Sequence, residues 1–517
     1  MTDLEKHLTK TNDILLNQIE KLTSQTEIQT QEIKRLSEQI QYLTKKLYGK
    51  SSEKSAKTSD EQLSLFEDFF DNAETTAPQT VEEEITYRRK KKKGHRAELL
   101  KNLPEEIIHC ELSDSERACS ECGDLMKPMG TKKVREELHF IPAKLYKKVF
   151  VTHTYACDCH DDSCESKNIK CATAPQGPIQ NSYPGASVLA QVFHLKYEMS
   201  IPTYRQTNEW KMYGLNVNRN TLSNWLIVAS RDWITPIYKE LHKELLMNQV
   251  LHGDETPYQI LNRSDGKPAT SEARIWAFRT TQNSEKPIIF YHASLTRSRQ
   301  VAEKILSGFS GYLHCDGYSG YKNLKNITLV GCWAHLRRYM NDACMNNENS
   351  KGKIGVDYCN KLFSLERKFK ILTPEERFEK RQLESKPIVE EFYDWLGSFY
   401  AMKGKLQSAV TYAINQKQEL TRFLEDGRLQ LSNNLMEEKI RPIAIGRKNY
   451  LFSTSEQGAT TNAMVYTIIE TAKENKINVS KYLTYLFEKL PNLNFYQNSD
   501  LLQDFLPWSK NVKELCT

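Results

Sequence analysis

No stretch of this 517-residue chain reaches the roughly 18 consecutive apolar residues that cross a bilayer, which excludes a membrane-spanning role. The opening MTDLEKHLTK also lacks the cationic-then-apolar pattern of a secretory signal, so the expected location is the cytoplasm. Neither a disordered nor a fibrous profile is present: 39% hydrophobic, 27% charged and 10% aromatic residues describe a globular chain. One core does not serve this length, and about two to four domains are expected. A strong net charge is missing too, at +6. The basic residues are instead clustered. Arg88, Arg89, Lys90, Lys91, Lys92 and Lys93 form an unbroken run, and clustered cations attract polyanions where dispersed ones do not. The same run is ordinary in a solvated linker, so it points to nucleic acid only in company with other features.

Disulfides are not expected in a reducing compartment, yet seven of the twelve cysteines (Cys110, Cys119, Cys122, Cys157, Cys159, Cys164 and Cys171) share one short window. Cys119 and Cys122 make a C-x2-C knuckle, and after 34 intervening residues come Cys157, Cys159, His160 and Cys164. Four nitrogen or sulfur ligands complete a tetrahedral Zn2+ site and organise a segment too small for its own core. Cys119, Cys122 and Cys157 are the expected ligands. The fourth is Cys159, His160 or Cys164, because CDCHDDSC is not a plain second knuckle.

Along the chain, Leu8, Leu15, Leu22, Leu36 and Leu43 keep one heptad spacing, with Ile19, Ile33, Ile40 and Leu47 at the complementary position and Asn12 in the same seam. Residues 1–48 therefore read as a coiled coil that makes a homo-oligomer, against a helix packed on its own chain; the seam lapses at Thr26 and Gln29. Residues 49–96 read as a flexible linker carrying the basic run, and 97–180 as a small zinc-binding domain. In 181–240, PTYRQTNEW and YGLNVNRNTLSNWL surround a turn at Gly214 and resemble a DNA-binding helix-turn-helix, or an ordinary helical hairpin. From Val250 the texture is β-rich: NQVLHGDET, ARIWAFRT and KPIIFYHAS, a helical SRQVAEKIL, then GYLHCD and NITLVGCW. Three antiparallel strands, a crossover helix and two further strands match a ribonuclease-H-like sheet. The fold class expected is thus multidomain α+β, with the core in 241–345 and 429–475, a helical insertion at 346–428 and a helical tail at 476–517.

Asp254 and Asp316 are each read at the point where a strand stops, in VLHGDETP and YLHCDGYSGY. Aspartate there is often a turn former. In the expected sheet, however, they end the first and fourth strands, which are central neighbours, so their carboxylates meet. Such carboxylates suit two Mg2+ or Mn2+ ions, which prefer oxygen ligands and serve phosphodiester cleavage. A late helix, LSNNLMEEKIRPIAIGRKNYLF, supplies Glu437, with Arg441, Arg447 and Lys448 behind it to neutralise phosphates. His335, beside Trp333, Arg337 and Arg338, reads as a packed or DNA-contacting histidine rather than a proton shuttle, the two guanidiniums being suited to phosphates.

The strings HGDETP, CDGYSGY, GCWAHLRR, NNLMEEKIRPIAIGRKNYLF and the closing LPW resemble motifs of the insertion sequence 66 family of transposases. The likeness extends upstream to LYGKSSEK, the cysteine segment and PTYRQ, and so covers nearly the whole chain from about Leu47. It implies a bacterial DNA transposase in which Asp254, Asp316 and Glu437 are the metal-binding acidic triad of a ribonuclease-H-like core. The reaction implied is hydrolytic nicking at the element's terminal repeats and attack of the freed 3′-hydroxyl on target DNA, with small companion proteins of the same element. Two positions depart from the family pattern: Ser432 stands where an acidic residue is usual, and Glu438 where a basic one is. Glu438 is therefore a competing ligand, and a catalytically impaired, transposase-derived DNA-binding protein is the alternative reading.

Overall fold

The computed structural model describes residues 144–156, 169–344, 350–401 and 404–517, with six residues between 22 and 30. All belong to one of two compact units, 1–50 with 144–517; the other is 51–143. The basic run, most heptad positions and the zinc-ligand candidates Cys119, Cys122, Cys157, Cys159, His160 and Cys164 lie outside the described residues.

Two short strands, β1 (Thr154–Ala156) and β2 (Ile169–Cys171), pair antiparallel. Helices α1 (Ala186–Tyr197), α2 (Thr203–Met212), α3 (Arg219–Ala229) and α4 (Thr235–Leu246) follow. The turn between α2 and α3 needs Gly214, whose φ of +86° suits a residue without Cβ. Asn218 then caps α3, its Oδ1 accepting from Thr221 N at 2.8 Å. Apolar residues at helical spacing (Leu222, Trp225, Leu226, Ala229) bury one face of α3, leaving Arg219, Asn220 and Asn224 in solvent.

The central sheet is built from β3 (Val250–Tyr258), β5 (Ala273–Thr280), β6 (Ile289–Ser294), β7 (Gly311–His314) and β8 (Ile327–Val330), with the small strand β4 (Ile260–Asn262) outside it. Its order is β6-β5-β3-β7-β8, antiparallel through β6, β5 and β3 and parallel through β3, β7 and β8. A parallel neighbour requires a crossover, and α5 (Arg299–Ile305) provides it. Side chains alternate between two cores. Ile275, Ala277, Ile289 and Tyr291 join one apolar cluster; Leu251, Trp276, Phe278, Phe290 and Leu313 join the other.

Helices α6 (Trp333–Asp342), α7 (Lys351–Phe369), α8 (Pro374–Lys380), α9 (Lys386–Gly397), α10 (Lys405–Asn415) and α11 (Lys417–Thr421) separate the sheet from α12 (Asn434–Tyr450). Their organiser is the fully buried Arg381, whose guanidinium pairs with Glu366 at 2.7 Å and donates to the carbonyls of Phe423, Asp426 and Leu429. Strand β9 (Ser453–Ser455) pairs with β4, and α13 (Glu456–Glu474) covers the β6 edge. Thr471 and Thr467 hydroxyls accept the Ile289 and Tyr291 amides at 3.1 and 2.9 Å, satisfying edge donors without a sixth strand. Helices α14 (Val479–Lys489) and α15 (Lys510–Cys516) close the described chain, Phe487 of α14 packing on Phe193 of α1 at 5.0 Å.

One expectation is corrected. Asp254 is the fifth residue of a nine-residue strand, not its end. What stops beside it is the parallel pairing to β7, whose last register pair is His252 with His314; from there β3 runs on against β5 alone, Asp254 facing Ala277.

Candidate metal-binding carboxylate site

The site opens where β3 and β7 part. Gly253 permits the packing there, since a Cβ at that position would meet the Phe278 ring at 2.9 Å and Leu313 at 3.2 Å. Asp254 follows it. Asp316 lies two residues beyond β7, in a turn that depends on Gly317 at φ +89°. That turn lets Tyr318 N donate to Asp316 Oδ1 at 3.0 Å, while Glu255 N donates to Asp254 Oδ1 at 2.8 Å.

Asp254, Glu255 and Asp316 each bring one carboxylate oxygen within 4.8 Å of the others. Glu255 is compensated: Arg297 Nε donates to it at 2.6 Å and the Tyr321 hydroxyl at 3.0 Å, and the Arg297 guanidinium lies 3.7 Å over the Tyr318 ring. Among the described residues, no cation stands against Asp254 in the same way. Burial, with the charges of Asp316, Glu255 and Glu437, pushes its pKa well above the usual carboxylate range. Glu255 is raised as well, by burial and Asp316, with Arg297 working against both. Three oxygens this close, one of them on an uncompensated acid, are a donor set for a hard divalent cation.

Glu437 reaches the site from the first turn of α12. Arg338 donates to its Oε2 at 3.2 Å, and its Oε1 lies 3.7 Å from His335 Nδ1. Its charge is felt at Asp254, but the groups that share ligand distance with it are Cys332 and His335. The structure thus brings Asp254 and Asp316 together and sets Glu437 at their flank.

Asn433, which sequence reasoning passed over, seats that helix. Fully buried, it accepts at Oδ1 from His252 Nδ1 at 2.9 Å, donates from Nδ2 to the Gly253 carbonyl at 2.9 Å, and donates its backbone N–H to Cys332 Sγ at 3.2 Å. One amide thereby ties the start of α12 to the strand residues just before Asp254 and to the start of α6. The only sequence signal was the Asn pair in LSNNLMEE. Arg279 adds a second tie, donating to the Leu435 carbonyl and to Glu474 at 3.0 and 2.9 Å. Glu255 was also passed over, because an acidic residue beside Asp254 on a strand is ordinarily expected on the opposite face.

The phosphate-binding candidates separate by environment. Arg337 donates to Asn360 of α7 at 2.9 Å, and Arg447 to the Pro257 carbonyl, so both are engaged within the fold. Arg338 is paired with Glu437, and Arg441 and Lys448 are exposed.

Comparison with known proteins defines the class, a transposase, which is an enzyme of the nuclease and transferase kind and implies DNA binding. The family model described as "Transposase IS66 family" matches residues 181–461, more than half of the 517 residues, and the chain belongs to that family. Three further models match: "Transposase C of IS166 homeodomain" over 35–108, "zinc-finger binding domain of transposase IS66" over 116–160, and "IS66 C-terminal element" over 467–508. The zinc-finger match suggests Zn2+, and the transposase domain a divalent cation. Among relatives, the uncharacterized protein y4qI of Sinorhizobium fredii is 29% identical over 430 residues, covering 78% of this chain and 75% of its own. Proteins y4hP and y4jD of the same organism are 27% and 26% identical, covering 75% and 80% of this chain and 73% and 81% of their own. Among the described residues no helix is long and apolar enough to cross a membrane.

Proposed function

We propose that this transposase nicks DNA at the ends of its insertion sequence and joins the freed 3′-hydroxyl to target DNA, through a ribonuclease-H-like core. The observation that carries the reading is the meeting of Asp254 and Asp316 where β3 and β7 part, with Glu437 brought alongside by α12. Mg2+ or Mn2+ held there supplies activation of the attacking oxygen and stabilisation of the leaving alkoxide. The chain's own residues do the rest. Asp254 and Asp316 furnish oxygen ligands, Glu255 with Arg297 and Tyr321 fixes the wall behind them, and Asn433 holds α12 so that Glu437 faces the same opening. Arg441 and Lys448 are placed in solvent on α12, where a phosphate backbone is gripped.

Recognition of the terminal repeats is assigned to helices α2 and α3. Arg205, Asn208 and Lys211 on α2 and Arg219, Asn220 and Asn224 on α3 are exposed, while both helices anchor through Gln206, Trp210, Trp225 and Leu226. The basic run 88–93, Zn2+ at Cys119, Cys122, Cys157 and one of Cys159, His160 or Cys164, and end pairing through an N-terminal coiled coil complete the proposal. Small companion proteins of the same element and a cytoplasmic location belong to it as well.

The test is cleavage of a duplex carrying the element's own end, with and without Mg2+, by wild type and Asp254→Asn, companion proteins supplied. Metal-dependent nicking that the substitution abolishes is the expected result. Tight, salt-sensitive binding without nicking in either protein overturns the catalytic reading in favour of a DNA-binding protein.

A further inference from the structure

A second group of ligating atoms stands beside the carboxylates. Cys332 precedes α6, and the C-x2-H spacing places His335 one turn further on the same side. With Glu437 they offer sulfur, nitrogen and oxygen atoms that all lie within 4.8 Å of one another. His335 Nδ1 and Glu437 Oε1 are 3.7 Å apart, close to the separation of about 3.3 Å between two ligands of one tetrahedral ion at bond lengths of about 2 Å. Both of these atoms are buried, and among the described residues neither has a hydrogen-bond partner. Leaving a buried nitrogen and a buried carboxylate oxygen unpaired is costly, and a cation between them satisfies both. The sulfur is already oriented, accepting the Asn433 N–H at 3.2 Å. The His335 and Glu437 side chains keep 18% and 30% of their exposure, which leaves an approach for an ion and room for a water as fourth ligand.

We infer that Cys332, His335 and Glu437 form a site for a thiophilic divalent ion such as Zn2+, and that this ion competes with Mg2+ for Glu437. A set with one thiolate and one imidazole favours Zn2+, whereas the all-oxygen set of Asp254, Glu255 and Asp316 favours Mg2+. On binding, the Cys332 thiol loses its proton to solvent. An ion here holds Glu437 Oε1 on the α6 side, away from Asp254 and Asp316, so Zn2+ acts as a brake on the Mg2+ site. None of its three ligands belongs to the zinc-finger match, which covers residues 116–160 of the sequence. The competition rests on Glu437 serving the proposed acidic triad; the binding itself does not.

The test uses full-length protein with its finger intact. Zn2+ per chain is titrated against a chromophoric chelator for wild type, Cys332→Ser and His335→Gln, and Co2+ spectra report thiolate ligation. Serine still accepts the Asn433 N–H, and circular dichroism checks that both variants fold. Wild type is expected to bind one more equivalent than either variant, each variant weakening that site more than the 10–100-fold typical of losing an outer partner. Equal stoichiometry in all three proteins, with identical Co2+ spectra, overturns the site. In a second arm, Zn2+ is expected to suppress the Mg2+-dependent rise in melting temperature in wild type but not in Cys332→Ser. A rise unaffected by bound Zn2+ overturns the competition, an outcome separate from any failure of DNA nicking.

Discussion

Asp254→Asn is expected to stabilise the protein in Mg2+-free buffer and to remove its stabilisation by Mg2+. The substitution keeps the shape and the oxygen that accepts Glu255 N, removes the charge, and puts an amide donor where the second carboxylate oxygen stood. In the wild type, Asp254 faces carboxylate oxygens of Glu255 and Asp316 within 4.8 Å. At that separation and an effective dielectric of about 20, each like-charge pair costs roughly 3 kcal/mol. Protonation relieves much of this, and Arg297 relieves Glu255, so the net gain on substitution is about 1–2 kcal/mol. With roughly 2 cal/mol/K of unfolding entropy per residue over 144–517, that is a rise of about 1–3 °C. The pH dependence has a definite sign. The folded-state pKa of Asp254 is raised above its unfolded value of about 4, so this group's contribution is fully present below that value and is lost as pH rises through the raised pKa. The variant lacks that loss. Added Mg2+ at ten times its dissociation constant stabilises the wild type by about 1.4 kcal/mol and the variant by much less. Differential scanning fluorimetry from pH 4 to 9, with a Mg2+ titration, reads all three effects. A lower melting temperature for Asp254→Asn without Mg2+, or an equal Mg2+ shift in both proteins, would refute the argument.

Asn433→Ala removes partners from His252 and the Gly253 carbonyl in a buried place, and urea denaturation should show a loss of about 2–4 kcal/mol with weaker Mg2+-dependent nicking. Asn433→Asp, which sets a carboxylate oxygen against the Gly253 carbonyl in a fully buried place, should cost at least as much as Asn433→Ala near neutral pH. Arg297→Ala leaves Glu255 buried without its cation. Because Arg297 is itself 39% exposed, the expected cost is about 1–2 kcal/mol, and Arg297→Lys should restore part of it. Gly253→Ala forces a methyl against the Phe278 ring, so thermal melting should show a cost of about 1–3 kcal/mol, which Gly253→Ala with Phe278→Leu reduces.

The succession of strands and the crossover were legible because β-rich runs with apolar alternation and turn signals are local properties. Asp254 and Asp316 were legible for the same reason, each standing after an apolar run. What sequence did not reveal were partners made by tertiary contact. Asp254 was read as a strand end because nothing local says that β3 continues against β5 after β7 has turned away. Nothing local marks Asn433, whose three bonds reach residues 181, 180 and 101 positions away. Arg337 and Arg447 read as phosphate ligands, and only the fold shows them donating to Asn360 and Pro257.

The helical insertion also contributes to the carboxylate site. The Tyr412 hydroxyl of α10 donates to the backbone carbonyl of Asp316 at 3.0 Å, and the Gln416 side chain comes within 3.0 Å of where a Cβ on Gly317 would sit. The α11 backbone accepts Gly331 N at 2.9 Å and Trp333 Nε1 at 2.7 Å, fixing the junction of β8 and α6 from which Cys332 and His335 project. The turn bearing Asp316 and the helix facing Glu437 are therefore held by residues about 100 positions downstream of Asp316. Tyr412→Phe, which deletes a single oxygen, should leave secondary structure intact and loosen the Asp316 turn. The expected signature is weaker Mg2+ affinity, read in the same fluorimetric titration, at nearly unchanged stability without Mg2+. Unchanged Mg2+ affinity in Tyr412→Phe would show that the insertion packs against the site without shaping it.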